Sequence, residues 1–148
     1  MAYKKLFISF LISFVIMYSV MFLNVDALSH VYLSMNRAYM ALLMVAPMQI
    51  MMIALMRGMY PNKKINVQII AAWLVVFVGV FICLRNQVLI GDRQYMKGMI
   101  PHHSSAIMTS KHADIRDPEV KKLSEQIIQS QEREIHEMEK MLERLDAN

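Results

Sequence analysis

The residues with the clearest capacity for chemistry lie in one short segment, Met96–His112, which reads MKGMIPHHSSAIMTSKH. It holds three histidines and three methionines in seventeen residues. Thioether sulfur is soft and favours Cu(I), whereas imidazole binds both copper oxidation states and several other divalent ions. A mixed His/Met set without cysteine therefore favours copper, with Ag(I) as a chemical mimic, over zinc or iron. Calcium and magnesium would require more oxygen ligands.

Helical spacing brings four of these side chains toward one region. Met96, Met99 and His103 are spaced i, i+3, i+7. His102 follows Met99 by three residues, so it shares that region. Adjacent residues on a helix diverge by about 100°, and His102 and His103 therefore need not bind the same ion.

A second pair, Met108 and His112, is spaced i, i+4 and falls on roughly the opposite side of the same helix. We include both among the candidate ligands, although an exposed surface position is the simpler interpretation of His112. The other candidates also have structural interpretations. Methionine fills irregular gaps in cores, and two adjacent histidines can form a hydrogen-bonded pair where a helix restarts.

The elements that must position these residues are two helices of a C-terminal hairpin. We expect the first to continue from the preceding apolar segment, with a kink or a restart between Gly98 and Pro101, because proline removes a backbone hydrogen bond. The segment DIRDPEV predicts the start of the second helix. Asp117 is suited to the N-cap and Pro118 to the first helical position.

The predicted apolar face of this second helix contains two polar residues, Gln131 and Glu134, beside Met138. A carboxylate on an apolar face is costly unless it is paired or bound. Glu134 is therefore a candidate metal ligand, or alternatively a hydrogen-bond acceptor that holds a ligating imidazole in one tautomer.

Charge and hydropathy divide the chain into a predicted membrane domain, residues 1–90, and a predicted extracytoplasmic metal-binding hairpin, residues 91–148. The first part carries seven Lys/Arg and one Asp/Glu, and the second carries nine and eleven. Three uncharged apolar segments, at about 6–25, 38–56 and 65–84, approach the 20 residues or so that cross a bilayer. The fold class is therefore predicted to be all-α, with three transmembrane helices.

The first apolar segment has an alternative interpretation as a signal peptide. Lys4 and Lys5 precede it, and Val25-x-Ala27 is a possible cleavage pattern. The apolar run exceeds the roughly 7 to 15 residues of a signal core, which favours an uncleaved anchor. An intact-mass measurement on the purified protein distinguishes the two.

The second apolar segment is rich in methionine, at positions 40, 44, 48, 52 and 56, with Met51 and Met59 beside them. A four-residue step drifts by about 40° per repeat, so the five cannot form one straight ladder. Ordinary packing is the simpler interpretation, and a path that passes a soft ion along is the alternative.

Three ordered blocks resemble the family called domain of unknown function 305. They are M-I-P-H-H-S-S-A-I at 99–107, D-P-E-V at 117–120 and Q-x-x-E-I-x-x-M at 131–138. Members of that family are helical bundles, some of them implicated in copper binding and resistance, with His and Met as ligands. By position, the resemblance implies a site formed by Met99, His102, His103, Gln131, Glu134 and Met138.

The sequence favours a binding protein over an enzyme. It contains no H-E-x-x-H motif, phosphate-binding glycine loop or G-x-S-x-G elbow, and no strand alternation. Nucleic-acid binding is not expected, because the tail has no basic stripe with interleaved aromatic residues. The leading hypothesis is a membrane-anchored copper-binding protein in metal handling or resistance. A structural helical adaptor or subunit that pairs with a membrane partner is the alternative.

Expected partners are membrane lipid, a second copy of the chain, and a protein for copper transport or delivery. A tail of about 58 residues is marginal as a separate domain. Pairing two hairpins into a four-helix bundle would bury their remaining apolar stripes and bring two His/Met sets together. The hairpin is therefore predicted to form a homodimer.

Orientation follows from the positive-inside rule, in which the first helix usually dominates. We predict a cytoplasmic N-terminus and a hairpin in the periplasm or extracellular space, because Lys4 and Lys5 precede the first span. Protease added to spheroplasts should then digest the hairpin while the membrane is intact. A hairpin that stays protected until the membrane is broken would contradict this orientation.

Overall fold

The computed structural model describes residues 2–147, and all regular structure in that range is helical, which confirms the all-α prediction. The elements are α1 (Ala2–Val20), a 3₁₀ turn (Leu28–His30), α2 (Met35–Leu55), α3 (Lys63–Arg85), α4 (Asp92–His112) and α5 (Pro118–Asp146). They form two units. A three-helix unit comprises residues 2–21 with Asn36–Val88, and a hairpin unit comprises Phe22–Met35 with residues 89–147.

Helices α1, α2 and α3 are each long and apolar enough to cross a membrane. Their ends differ by a few residues from the predicted spans. The largest difference is at α1, which ends at Val20 where the prediction extended to residue 25. The reason is tertiary, because residues 22–35 leave the first helix and pack within the hairpin unit.

One end of the three-helix unit is held together by a small cluster in which Leu6, Ile53 and Tyr60 are buried. Polar side chains brace the same end: the Tyr3 hydroxyl donates to Asn66 Oδ1 at 2.9 Å, and Asn66 Nδ2 donates to the carbonyl of Tyr60 at 2.8 Å. These contacts join the start of α1 to the loop after α2 and the first turn of α3.

The buried face of α2 includes two alanines, Ala41 and Ala46, and such small side chains let neighbouring helices approach closely. Its members are Tyr39, Ala41, Val45, Ala46, Gln49 and Ile53. Most other apolar side chains of α1 and α3 are exposed in the unit itself. Such faces are compatible with hydrocarbon as their solvent, since lipid tails and aliphatic side chains are equally apolar.

The hairpin unit is built on packing between α4 and α5. The buried residues of its core are Met96, Ile100, Ile107, Ile135 and Leu142, with Tyr32, Ile128, Met138 and Leu145 packed against them. The predicted apolar face of α5 is largely confirmed, because Ser124, Ile135 and Leu142 are buried. Val120, in the first turn of α5, is 50% exposed and therefore lies outside the core.

The expectation that α4 continues from α3 is wrong. Helix α3 ends at Arg85, where Asn86 caps it and its side-chain amide donates to the carbonyl of Ile82. Gln87 and Leu89 then adopt positive φ angles of 50° and 60°, a left-handed conformation that breaks any helix of L-residues. We also predicted a kink or a restart between Gly98 and Pro101. The restart is wrong, since α4 runs unbroken through the buried Pro101.

The predicted start of α5 is confirmed, and it gives a test of the hairpin's stability. Asp117 Oδ1 accepts hydrogen bonds from the backbone N–H groups of Glu119 at 2.9 Å and Val120 at 3.0 Å. Asp117→Ala should destabilise α5 by about 1 kcal/mol, seen as faster amide hydrogen exchange in its first turns. Asp117→Ser should restore most of the protection.

Asp114→Ala is the matched control for Asp117→Ala. Asp114 pairs with Arg116 at 2.7 Å on the exposed surface, where an ion pair contributes little. If both alanine variants changed exchange equally, the cap would not be the stabilising contact.

Candidate metal centre

A contact between α4 and α5 places one predicted histidine beside the predicted carboxylate. His103 Nε2 lies 3.6 Å from Glu134 Oε2, and the histidine side chain is only 13% exposed. Ser130 Oγ donates to the other carboxylate oxygen of Glu134 at 2.7 Å. The serine lies one helical turn before Glu134, so it orients the carboxylate from within α5.

The other ring nitrogen of His103 is the most unusual polar atom of the hairpin. Nδ1 is buried and has no hydrogen-bond partner. Burial lowers the pKa of His103; the Glu134 carboxylate opposes this shift, and the neighbouring His102 adds to it. A lowered pKa favours the neutral ring, and a proton on Nε2, on the side of the carboxylate, would leave the lone pair on Nδ1.

His102 and His103 occupy different environments, as adjacent residues of a helix must. Their ring centroids are 6.0 Å apart with planes at 60°. His102 is exposed, whereas His103 faces α5. Of the two, only His103 combines a neutral, partly desolvated ring with a carboxylate partner among the contacts of the described residues.

The structure distributes the predicted thioether ligands among several surroundings. Met96 is buried in the hairpin core and Met138 packs against that core. Met99 and Gln131 are half-buried. The two core positions match the packing interpretation of methionine. Met99 and Met108 are half-buried and lie outside the core cluster.

The pair on the opposite side of α4 is engaged within its own helix. His112 is exposed, and its Nδ1 lies 2.9 Å from the carbonyl oxygen of Met108. That bond satisfies one ring nitrogen by capping the end of α4. It corresponds to the surface interpretation of His112.

Between residues 2 and 147 there is no group of three or more His, Cys, Asp or Glu side chains that could hold a metal ion. One chain therefore presents a His–carboxylate pair between α4 and α5, but no complete cage of these harder donors. Two or three soft ligands suffice for Cu(I), which does not require the four ligands of a structural zinc site.

Sequence reasoning missed a second polar cluster, in which residues before α2 meet the hairpin. Ser104 is fully buried; its hydroxyl accepts from the Asp26 backbone N–H at 2.8 Å and lies 2.9 Å from His30 Nδ1. Next to it Asn24 Nδ2 donates to Ser105 Oγ at 2.8 Å. The only sequence signal was the S-S pair within the family-like block, which carries no indication of its distant partners.

Two residues of this cluster, Asp26 and His30, line a pocket of about 170 Å³ together with Glu132, His136 and Glu139. Lys111 Nζ pairs with Asp26 at 2.9 Å and with Glu132 at 3.6 Å. The hydrogen bond to Asp26 is the main reason that the pKa of Lys111 is raised. Lys111 thus pairs with two of the pocket's three carboxylates, Asp26 and Glu132, and its single charge offsets one of their two.

The methionines of α2 do not form one stripe. Met40, Met48, Met51 and Met56 are exposed in the three-helix unit, while Met52 packs against its buried cluster. This distribution follows from the drift of a four-residue repeat around a helix.

Comparison with known proteins identifies the family of this chain. A family model described as Domain of unknown function (DUF305) matches residues 86–146, which include both α4 and α5. An uncharacterized protein of Acanthamoeba polyphaga mimivirus is 39% identical over 127 residues, covering 84% of this chain and 82% of that protein. No solved structure matches. The similarity extends beyond the hairpin into the apolar helices, and the chain belongs to the DUF305 family.

Proposed function

We propose that this protein binds copper, as Cu(I), through His103 in the hairpin unit, and that it serves metal handling at a membrane. The single observation that carries the proposal is the buried Nδ1 of His103, which has no hydrogen-bond partner. An unpartnered buried polar atom costs about 1–3 kcal/mol. Binding a soft cation would compensate that cost.

Glu134 would not bind the metal itself but would accept a hydrogen bond from the ligating His103. A ligating imidazole usually donates its second N–H to a carboxylate, which fixes the tautomer and increases the basicity of the ring. The Nε2 to Oε2 separation of 3.6 Å is slightly longer than a hydrogen bond. A small rotation of either side chain would close it.

Further ligands would come from Met99 and His102 of the same chain or from a second protomer. The hairpin leaves large apolar side chains exposed on α5, namely Val120, Leu123 and Met141. Pairing two hairpins would cover such side chains and unite two sets of donors in one four-helix bundle. A homodimer is therefore part of the proposal.

The three apolar helices would anchor the site to a membrane, with the N-terminus cytoplasmic and the hairpin in the periplasm or outside the cell. Copper would reach the hairpin there as cargo. A site of one imidazole and thioethers suits a buffer, a sensor or a protein that hands the ion to a transport or delivery partner, and it needs no catalytic group.

A structural adaptor is the second candidate function. The observation that favours it is the packing of Met96 and Met138 in the hairpin core, where both contribute as apolar residues. In that case, the hairpin would present its exposed apolar side chains to a different membrane protein.

Titration of the full chain in detergent with Cu(I), or with Ag(I) as its mimic, tests copper binding. The His102→Ala/His103→Ala variant should bind at least about tenfold more weakly, with His103→Ala alone accounting for most of the loss. Glu134→Gln should weaken binding by about tenfold, because outer partners of metal ligands contribute 10- to 100-fold.

The matched control for this titration is His112→Ala/His136→Ala, which removes two imidazoles from exposed positions and should bind like the wild type. Circular dichroism should show that all variants keep their helicity. Equal weak binding by the wild type and the His102/His103 variant would reject the copper proposal and favour the adaptor.

Native mass spectrometry in mild detergent tests the homodimer. The wild type should appear as a dimer, and a Val120→Glu/Leu123→Glu variant should shift toward monomer, because charged side chains would have to be buried in the interface. Only monomer for the wild type at every accessible concentration would contradict the four-helix bundle.

A further inference from the structure

The three-helix unit has an unbalanced charge. Its sequence contains seven Lys or Arg residues and no Asp or Glu. Five of the seven lie at the end where α1 begins, α2 ends and α3 begins: Lys4, Lys5, Arg57, Lys63 and Lys64. The cluster of Leu6, Ile53 and Tyr60 holds these three segments together. No carboxylate of the unit is available to pair with these cations, so their counter-anions must come from outside it.

A cavity of about 450 Å³ opens at this end of the unit. Ile53, Val67 and Ile70 are among its apolar walls, and Arg57 and Lys63 are its charged members. Ala54 also lines it. Arg57 Nε donates to the Ala54 carbonyl at 3.1 Å, which fixes the base of the guanidinium and leaves its terminal N–H groups for a ligand.

The position of the cavity suits a phospholipid. Helices α2 and α3 are long and apolar enough to span a membrane. The cavity lies where α2 ends and α3 begins, which would be at the depth of the lipid headgroups when both helices span a bilayer. Basic pockets between membrane helices characteristically bind anionic headgroups. Arginine also matches phosphate geometry through paired N–H donors. A free phosphate ion would leave the apolar walls exposed to water, whereas an acyl chain would cover them.

We propose that this cavity binds one anionic phospholipid, with its phosphate paired to Arg57 and Lys63 and the upper part of an acyl chain against Ile53, Val67 and Ile70. The bound lipid supplies the anion that the unit lacks and covers the apolar walls of the cavity between α2 and α3. The site depends on membrane insertion of α1 to α3 and is independent of copper binding in the hairpin.

Lipid retention by the full chain tests the proposal. The protein is placed in nanodiscs of equimolar phosphatidylglycerol and phosphatidylcholine, extracted with mild detergent and weighed by native mass spectrometry. The wild type should retain phosphatidylglycerol in preference to phosphatidylcholine. Arg57→Gln and Lys63→Gln should each lower that retention about fivefold, as expected for one basic residue at a membrane surface.

Two further variants separate a built site from general attraction. Ala54→Phe keeps every charge but places a bulky ring in the lining of the cavity, and it should lower phosphatidylglycerol retention by a similar factor. Arg85→Gln removes one charge at the opposite end of α3 and should retain phosphatidylglycerol like the wild type.

Three results of the retention measurements would overturn the proposal. They are equal retention of the two lipids by the wild type, unchanged retention by Ala54→Phe, and equal losses in Arg57→Gln and Arg85→Gln. Displacement of the lipid by inorganic phosphate as readily as by added phosphatidylglycerol would show a site for the anion alone, and would also overturn it. The preference of the wild type is measured without any substitution, so the test does not depend on a variant folding.

Discussion

Packing of α5 against α4 is the interaction on which the candidate site depends. Ile100 and Ile107 of α4 meet Ile135 and Leu142 of α5 in one buried cluster, and burying a large aliphatic side chain contributes roughly 1.5–3 kcal/mol. This apolar contact sets the rotation of both helices. It therefore decides that His103 faces Glu134 across the interface.

The same contact explains why neighbouring polar residues have such different properties. Ser104 lies one position after His103, is fully buried, and binds the segment before α2. His102 lies one position earlier and is exposed. A helix turns by about 100° per residue. The three successive side chains therefore point in different directions: His102 to solvent, His103 to the Glu134 carboxylate, and Ser104 to the backbone N–H of Asp26. Burial then acts on the middle one, lowering the pKa of His103 and keeping its ring neutral.

The two units differ in their charged residues and in the surface that they expose. The hairpin unit contains both acidic and basic residues and pairs some of them internally, as the contacts of Lys111 with Asp26 and Glu132 illustrate. The three-helix unit has no acidic residue in its sequence, and its exposed surface is largely apolar. A membrane would provide both things that this unit lacks, hydrocarbon for its helix faces and phosphate for its cations. Asp26 is the one acidic residue that precedes α3 in the sequence, and it packs within the hairpin unit.

The sequence by itself determined the features that depend on local composition: three apolar helices, the start of α5 at Asp117, and most of its buried face. The apolar helices and the buried face follow from the partition of side chains between water and apolar surroundings. The start of α5 follows from hydrogen bonds between residues two or three positions apart. Both can be read from neighbouring residues in the sequence. Only the tertiary structure decided that α4 starts anew after Leu89, that Met96 and Met138 enter the core, and that His103 meets Glu134. It also joined Asp26 to Lys111, although 85 positions separate them in the chain. Such contacts depend on where the chain reverses and on how each helix is rotated about its axis. The spacing of apolar residues in the sequence does not determine either.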